Sequence, residues 1–135
     1  MRPLGFPPAL RIRRGSEFDR AFREGASAGD ELLVVHALPN GGPEPRLGLA
    51  VGKAVGGSVA RNRVKRLLRE AFRLHRAELP PGHDLVVVAK AADPARWTLA
   101  ACAASLASLA AKAAQRRAKG GGRRARGAGG GGKPV

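Results

Sequence analysis

The apolar positions of this chain fall into three short runs with strand character and three longer stretches with helical spacing. ELLVVHAL (Glu31 to Leu38) is rich in β-branched and aliphatic residues and predicts a strand. RLGLAVGK (Arg46 to Lys53) predicts a second. With PNGGPEP as the turn between them, the pair predicts an antiparallel hairpin. DLVVVAK (Asp84 to Lys90) predicts a third strand, and its unbroken valines predict a buried one. Ser16-Glu17-Phe18-Asp19 is a capping-box pattern that opens a short helix, SEFDRAFREG, ended by Gly25. Thr98 is placed to cap a last helix running to about Lys119, in which Leu99, Cys102, Ala103, Leu106, Leu109, Ala110 and Ala113 recur at helical spacing.

The central helix starts after GGS, with Ser58 as its expected cap, and stops before Pro80-Pro81-Gly82. On a helical wheel Ala60, Val64, Leu67, Leu68, Ala71, Phe72, Leu74 and His75 fall within an arc of roughly 160°. The opposite side gathers Arg61, Asn62, Lys65, Arg66, Arg69, Arg73 and Arg76, with Arg63 and Glu70 at its edge. One face therefore packs on a sheet and the other presents positive charge. A solvated helix face intersperses acids for i,i+4 pairing, whereas this strip has essentially one sign. Its first turn also sets Arg61 and Arg63 against the positive end of the helix dipole. Both features make physical sense if a phosphate backbone lies against that end, where free N–H groups and guanidinium groups can hold it.

The elements run helix, strand, strand, helix, strand, helix, which predicts a single small α+β domain with helices packed on a sheet. The expected organisation is an irregular basic arm over 1–14, a domain over 15–119 and a disordered Gly/Arg-rich tail over 120–135. Composition sharpens the functional picture. The 135 residues carry a formal net charge of +15, which points to a polyanionic partner, with nucleic acid ahead of a membrane surface. No apolar run approaches the ~20 residues of a spanning helix, and prolines interrupt the N-terminus where a signal peptide has its apolar segment. Cys102 is the single cysteine, which excludes an internal disulfide and fits a reducing cytoplasm.

RLGLAVGKAVGGSVARNRVKRLLREAFR resembles the signature of the protein subunit of bacterial ribonuclease P: a glycine-containing strand, a basic turn, and an Arg-Asn-Arg helix continued by Lys-Arg and Arg-Glu. RIRRGSEFDRAFREG resembles the first helix of that family, and DLVVVAK its later strand, so the match covers roughly Leu10 to Leu109. The resemblance implies an α+β fold with an unusual left-handed crossover between parallel strands, where general topology favours the right-handed form. It also implies a cytoplasmic partner of a catalytic RNA, the two together removing the 5′ leader of precursor tRNA. The chemistry would then belong to the RNA and to Mg2+ held mainly by it, with no obligate protein partner evident.

Carried over position by position, the resemblance implies that Lys53, Arg61, Asn62, Arg63, Lys65, Arg66 and Arg69 face the RNA. It implies a leader cleft between the first helix and the sheet, using Phe18, Phe22, His36, Ala50, Val88 and Lys90. Phe18 and Phe22 are i,i+4 neighbours, and Val86, Val88 and Lys90 share a strand face. Aromatic rings beside a basic residue suit a single strand, whose bases stack and whose phosphates need charge. At His36 the family commonly has an aromatic such as tyrosine, and at Ala54 many members have a second lysine. The ten acids and three histidines show neither a metal-ligand spacing nor a general acid–base pair. Two other readings stay open on the residues alone: a ribosome-associated or general RNA-binding module, and a DNA-binding regulator, although no short helix-turn-helix precedes the basic helix.

Overall fold

The structure is a computed structural model and describes residues 8–120. Helix α1 spans Gly15–Glu24, α2 Ser58–His75 and α3 Leu99–Gly120. Strands β1 (Ala26–Gly29), β2 (Leu33–Pro39), β3 (Arg46–Ala50) and β4 (His83–Ala89) form one mixed sheet in the order β1-β2-β4-β3. The fold is α+β as the pattern predicts, with one strand added. β1 reads ASAG and has none of the β-branched or aromatic residues that mark a strand. It is extended because it pairs antiparallel with β2, Ala26 opposite Ala37.

The expected hairpin does not form. β2 and β3 are not neighbours; β4 lies between them, antiparallel to β2 and parallel to β3. The physical reason is burial. Asp84 to Val87 are four consecutive buried residues, so β4 needs a strand on each side to satisfy its backbone. The connection from β2 to β3 passes over the start of β4 and is fastened there. The Asn40 N–H donates to Gly82 O at 2.8 Å, and Asn40 Nδ2 donates to Asp84 Oδ1 at 3.1 Å. Gly82 has φ +68°, and a Cβ there would sit 2.7 Å from Gly42 O, so only glycine lets the two turns touch. β3, α2 and β4 thereby make a parallel β-α-β unit.

Two expected caps are also replaced. Arg14 and Gly57 occupy the cap positions of α1 and α2, and neither helix has a side-chain cap bond. Ser16 and Ser58 lie one residue or more inside the first turn, where their hydroxyls are too far along to serve as caps. Thr98 does cap α3, its Oγ1 accepting from Ala101 N–H at 3.1 Å.

The helices divide the sheet into two unequal faces. α2 and α3 bury Leu33, Val35, Ala37, Leu47, Leu85 and Val87 in the main core, together with Phe72, Trp97 and Leu106. α1, with Ile12 of the segment before it, covers the other face, where Ile12, Ala21 and Val86 form a small second core against Phe18. One short helix cannot span four strands, so part of that face stays open. Preceding α1, a 3-10 turn at Pro8–Leu10 leads to Arg11, which bridges to Leu47 in parallel. Leu10 and Ile12 are buried, so this segment is fastened to the domain. The expected tail lies outside the described residues, apart from Gly120.

Candidate RNA interface and cleft

Strand alternation sets which side chains meet on the α1 face. His36, Val86 and Gly48 form one cross-strand row, and Val34, Val88 and Ala50 form the next. α1 packs over the first row. Its Phe18 lies so close to Gly48 that a Cβ there would sit 3.0 Å from Phe18 Cζ and 3.0 Å from Ile12 Cβ. The second row, Val34, Val88 and Ala50, is only half-buried, at the place beside the helix where the resemblance sets the leader cleft. The rings of Phe18 and Phe22 are 6.5 Å apart, and Phe22 meets His36 edge-on at 4.9 Å. Phe22 stays 40% exposed, whereas Phe18 is packed into the second core. Burial pushes the His36 imidazole down to about 4, so it is neutral at pH 7.

Lys90 sits just past β4, where its N–H donates to Leu32 O and its Nζ donates to the carbonyl of Asp30 at 2.7 Å. Asp30 is the hub of that turn. Burial raises its pKa, but bonds from Leu33 N–H, the Ser105 hydroxyl and Leu32 N–H, with the Lys90 charge, hold it below the ordinary carboxylate value. The six residues assigned to the cleft thus divide. Phe18, Phe22, His36, Ala50 and Val88 come together on one face, and Lys90 closes its end.

α1 is held at its distance by a network that patterning alone does not reveal. Arg46 donates to both oxygens of Asp84 at 2.7 Å and to Glu17 Oε2 at 3.1 Å. Asp84, read from sequence as the first residue of a strand, is a buried carboxylate at 7% exposure. Those contacts raise the Arg46 pKa, the hydrogen bond to Asp84 first. The separation of Arg46 and Asp84 in the chain is the reason the pair is silent in sequence.

The basic strip lies on α2. Lys53 is exposed on the turn before the helix, and Asn62, Arg63, Arg66 and Arg69 are exposed along it. Arg61 and Lys65 are half-buried, and the Arg61 Nε is buried without a hydrogen-bond partner. Arg63 differs from the rest: its Nη2 donates to Trp97 O at 3.0 Å and so ties α2 to the start of α3. Trp97 is itself buried, with Nε1 donating to Ala91 O. Elsewhere arginines face carboxylates: Arg20 meets Glu24, Arg46 meets Asp84, Arg73 meets Glu70 and Arg96 meets Glu31. Among the described residues Lys53, Arg61, Lys65, Arg66 and Arg69 make no ion pair, so their charge is uncompensated.

Cys102 is buried in the main core, and burial pushes its thiol up to about 11, which leaves it inert as a nucleophile. Among the described residues no group of three or more His, Cys, Asp or Glu side chains could hold a metal ion. Among them, too, no helix is long and apolar enough to cross a membrane.

The family model for Ribonuclease P matches residues 6–114. The ribonuclease P protein component of Desulfovibrio desulfuricans is 49% identical over 92 residues, covering 67% of this chain and 71% of that one. That of Beutenbergia cavernae is 54% identical over 84 residues, covering 61% and 69%. Solved structures agree. The RNase P protein of Staphylococcus aureus superposes with a TM-score of 0.66 at 30% identity, over 78% of this chain and 95% of that one. That of Thermotoga maritima gives 0.66 at 31% identity, over 73% and 92%. With the family model matched along most of its length, and its fold shared with solved members, this chain belongs to the ribonuclease P protein family.

Proposed function

We propose that this protein binds the catalytic RNA of ribonuclease P along Lys53, Arg61, Asn62, Arg63, Lys65, Arg66 and Arg69, and the 5′ leader of precursor tRNA in the cleft beside α1. Family membership carries the coarser statement: the chain acts in tRNA processing as a protein component of ribonuclease P, with ribonuclease P RNA as its partner. The observation that supports the finer reading is the contrast in pairing. Glu24, Glu17, Asp84, Glu70 and Glu31 are engaged by Arg20, Arg46, Arg73 and Arg96, while among the described residues Lys53, Arg61, Lys65, Arg66 and Arg69 of the strip make no ion pair. A polyanion placed there releases its counterions and removes the repulsion within the strip.

In the cleft, Phe22 offers an exposed ring for a base, braced edge-on by His36. Phe18 backs it from the second core. Lys90 supplies charge for the leader backbone at the end of the cleft, its position set by Asp30. The strip and the cleft open on different elements of the same small domain, so the RNA and the leader can be held together. Bond cleavage is assigned to the RNA, and Mg2+ mainly to the RNA as well. The described residues provide no group of three or more His, Cys, Asp or Glu side chains that could hold the ion.

The test uses a bacterial ribonuclease P RNA and a precursor tRNA at a magnesium concentration too low for the RNA to act alone. Added protein should release the 5′ leader at the mature end, and protein without RNA should release none. Cleavage by the protein alone, or no stimulation with the RNA from its own source, would overturn the reading.

A further inference from the structure

The N-terminal segment gives the basic helix a second wall. The Ile12 N–H donates to Leu47 O at 2.9 Å, so residues 11–13 run along the outer edge of β3. An extended segment sends alternate side chains to opposite faces. Ile12 goes to the α1 side, where it is buried with Ala21 and Val86. Arg11 and Arg13 instead line a cavity of about 220 Å³ together with Lys65 and Arg69, which are one turn apart on α2, and with Leu47 and Leu49.

Four cations from two separate segments meet in this cavity, and among the described residues no carboxylate lines it. Burial and the Arg11 charge both disfavour the charged form of Arg69. Folding therefore gathers like charges at a cost that an anion between them reverses. The cavity is smaller than the ~300–1,000 Å³ of a small-molecule pocket, which suits a phosphate group better than a nucleobase with its ribose. It is also continuous with the strip, because Lys65 and Arg69 belong to both. A polyanion can fill the cavity with one phosphate while its neighbours meet Arg66 and Arg61, a gain that a free phosphate ion lacks.

We propose that this cavity is a phosphate pocket, in which a backbone phosphate of the catalytic RNA is gripped between Arg11 and Arg13 on one side and Lys65 and Arg69 on the other. The proposal rests on the RNA-binding reading above. It extends the interface from α2 to the segment before α1, and explains why that segment is joined to the edge of β3 with its arginines turned towards α2.

The experiment titrates the full-length protein with ribonuclease P RNA across a series of potassium chloride concentrations, for wild type, for Arg11→Gln with Arg13→Gln, and for Arg11→Lys with Arg13→Lys. Each lost phosphate contact lowers the log–log salt slope by about 0.7–0.9. The glutamine variant should therefore show a slope smaller by up to about 0.9, with the free protein melting no lower than wild type. The lysine variant keeps the charge and should keep the slope. An unchanged slope in the folded glutamine variant overturns the pocket. Should that variant fold poorly, Arg13→Gln alone decides: a smaller slope supports the pocket, and an unchanged one overturns it. Inorganic phosphate is titrated separately, followed on the Arg11 and Arg13 side-chain N–H resonances. Phosphate binding that RNA does not displace would leave a free-anion site only, and the RNA assignment would fall. If wild type does not bind the RNA, both readings fall; if it binds and the glutamine variant keeps its slope, only the pocket does.

Discussion

At the scale of single residues, His36 and Phe22 carry the clearest consequences. The His36 imidazole titrates near 6.5 when unfolded and is held down to about 4 by burial in the fold. Between those values the unfolded chain binds more protons, so stability rises with pH through this window and is full above it. Acidification across the window removes at most about 3 kcal/mol. In urea unfolding, the stability difference between wild type and His36→Phe should be flat above pH 6.5 and shift against wild type below it. A difference that does not change with pH would show that the ring is not desolvated. Phe22 and Phe18 separate by burial. Phe22→Ala should cost little stability but weaken precursor tRNA relative to mature tRNA by about 5- to 150-fold, the range of one lost base stack of roughly 1–3 kcal/mol. Phe18→Ala should lower thermal stability as well, because its ring packs against Ile12 and Val86. Equal loss for both tRNAs in the Phe22 variant would remove the leader from the cleft.

At the scale of elements, the geometry of the cleft depends on how α1 is held. Its packing surface is small, and the Arg46 network supplies the missing constraint by joining Glu17 on α1 to Asp84 on β4. Arg46→Met leaves the buried Asp84 carboxylate with only Asn40 as a side-chain partner, and should destabilise the domain by about 3–5 kcal/mol. Adding Asp84→Asn should recover much of that loss, because the stranded charge is gone. If the recovered protein still binds precursor tRNA poorly, the network positions α1 and does more than stabilise it; full recovery of both would make its role purely one of stability. Arg63 plays a comparable part between α2 and α3, and this divides the Arg-Asn-Arg triplet. Arg61 has a buried Nε without a partner, whereas Arg63 already donates to Trp97 O.

At the scale of the molecule, the sheet separates two jobs. One face is closed by α2 and α3 over the main core, and the back of α2 carries the strip. The other face is half-closed by α1 and leaves the cleft. α3 also grips the far side: Arg116 donates to Ser27 O on the edge strand, and Arg117 donates to Glu24 O at the end of α1. These bonds satisfy carbonyls at an open edge and at a helix C-terminus, where cations are favourable. A domain with so few acids therefore uses its arginines in several ways, some on its own carbonyls and carboxylates and others on the surface of α2.

Local pattern alone determined much of this protein. The 3.6-residue spacing of Val64, Leu68, Ala71 and Phe72 sets the buried stripe of α2 and, by exclusion, the cationic face opposite. The unbroken valines of β4 announce a central strand, and Thr98 announces the start of α3. These signals are legible because each depends on neighbours within a turn or two of chain. Tertiary structure alone decided the strand order, the existence of β1, the Arg46–Asp84 and Arg63–Trp97 contacts, and the meeting of Arg11 and Arg13 with Lys65 and Arg69. Each of those joins groups distant in sequence or depends on a partner strand, and no periodicity in one segment reports which distant segment will satisfy its hydrogen bonds or stand beside its charge.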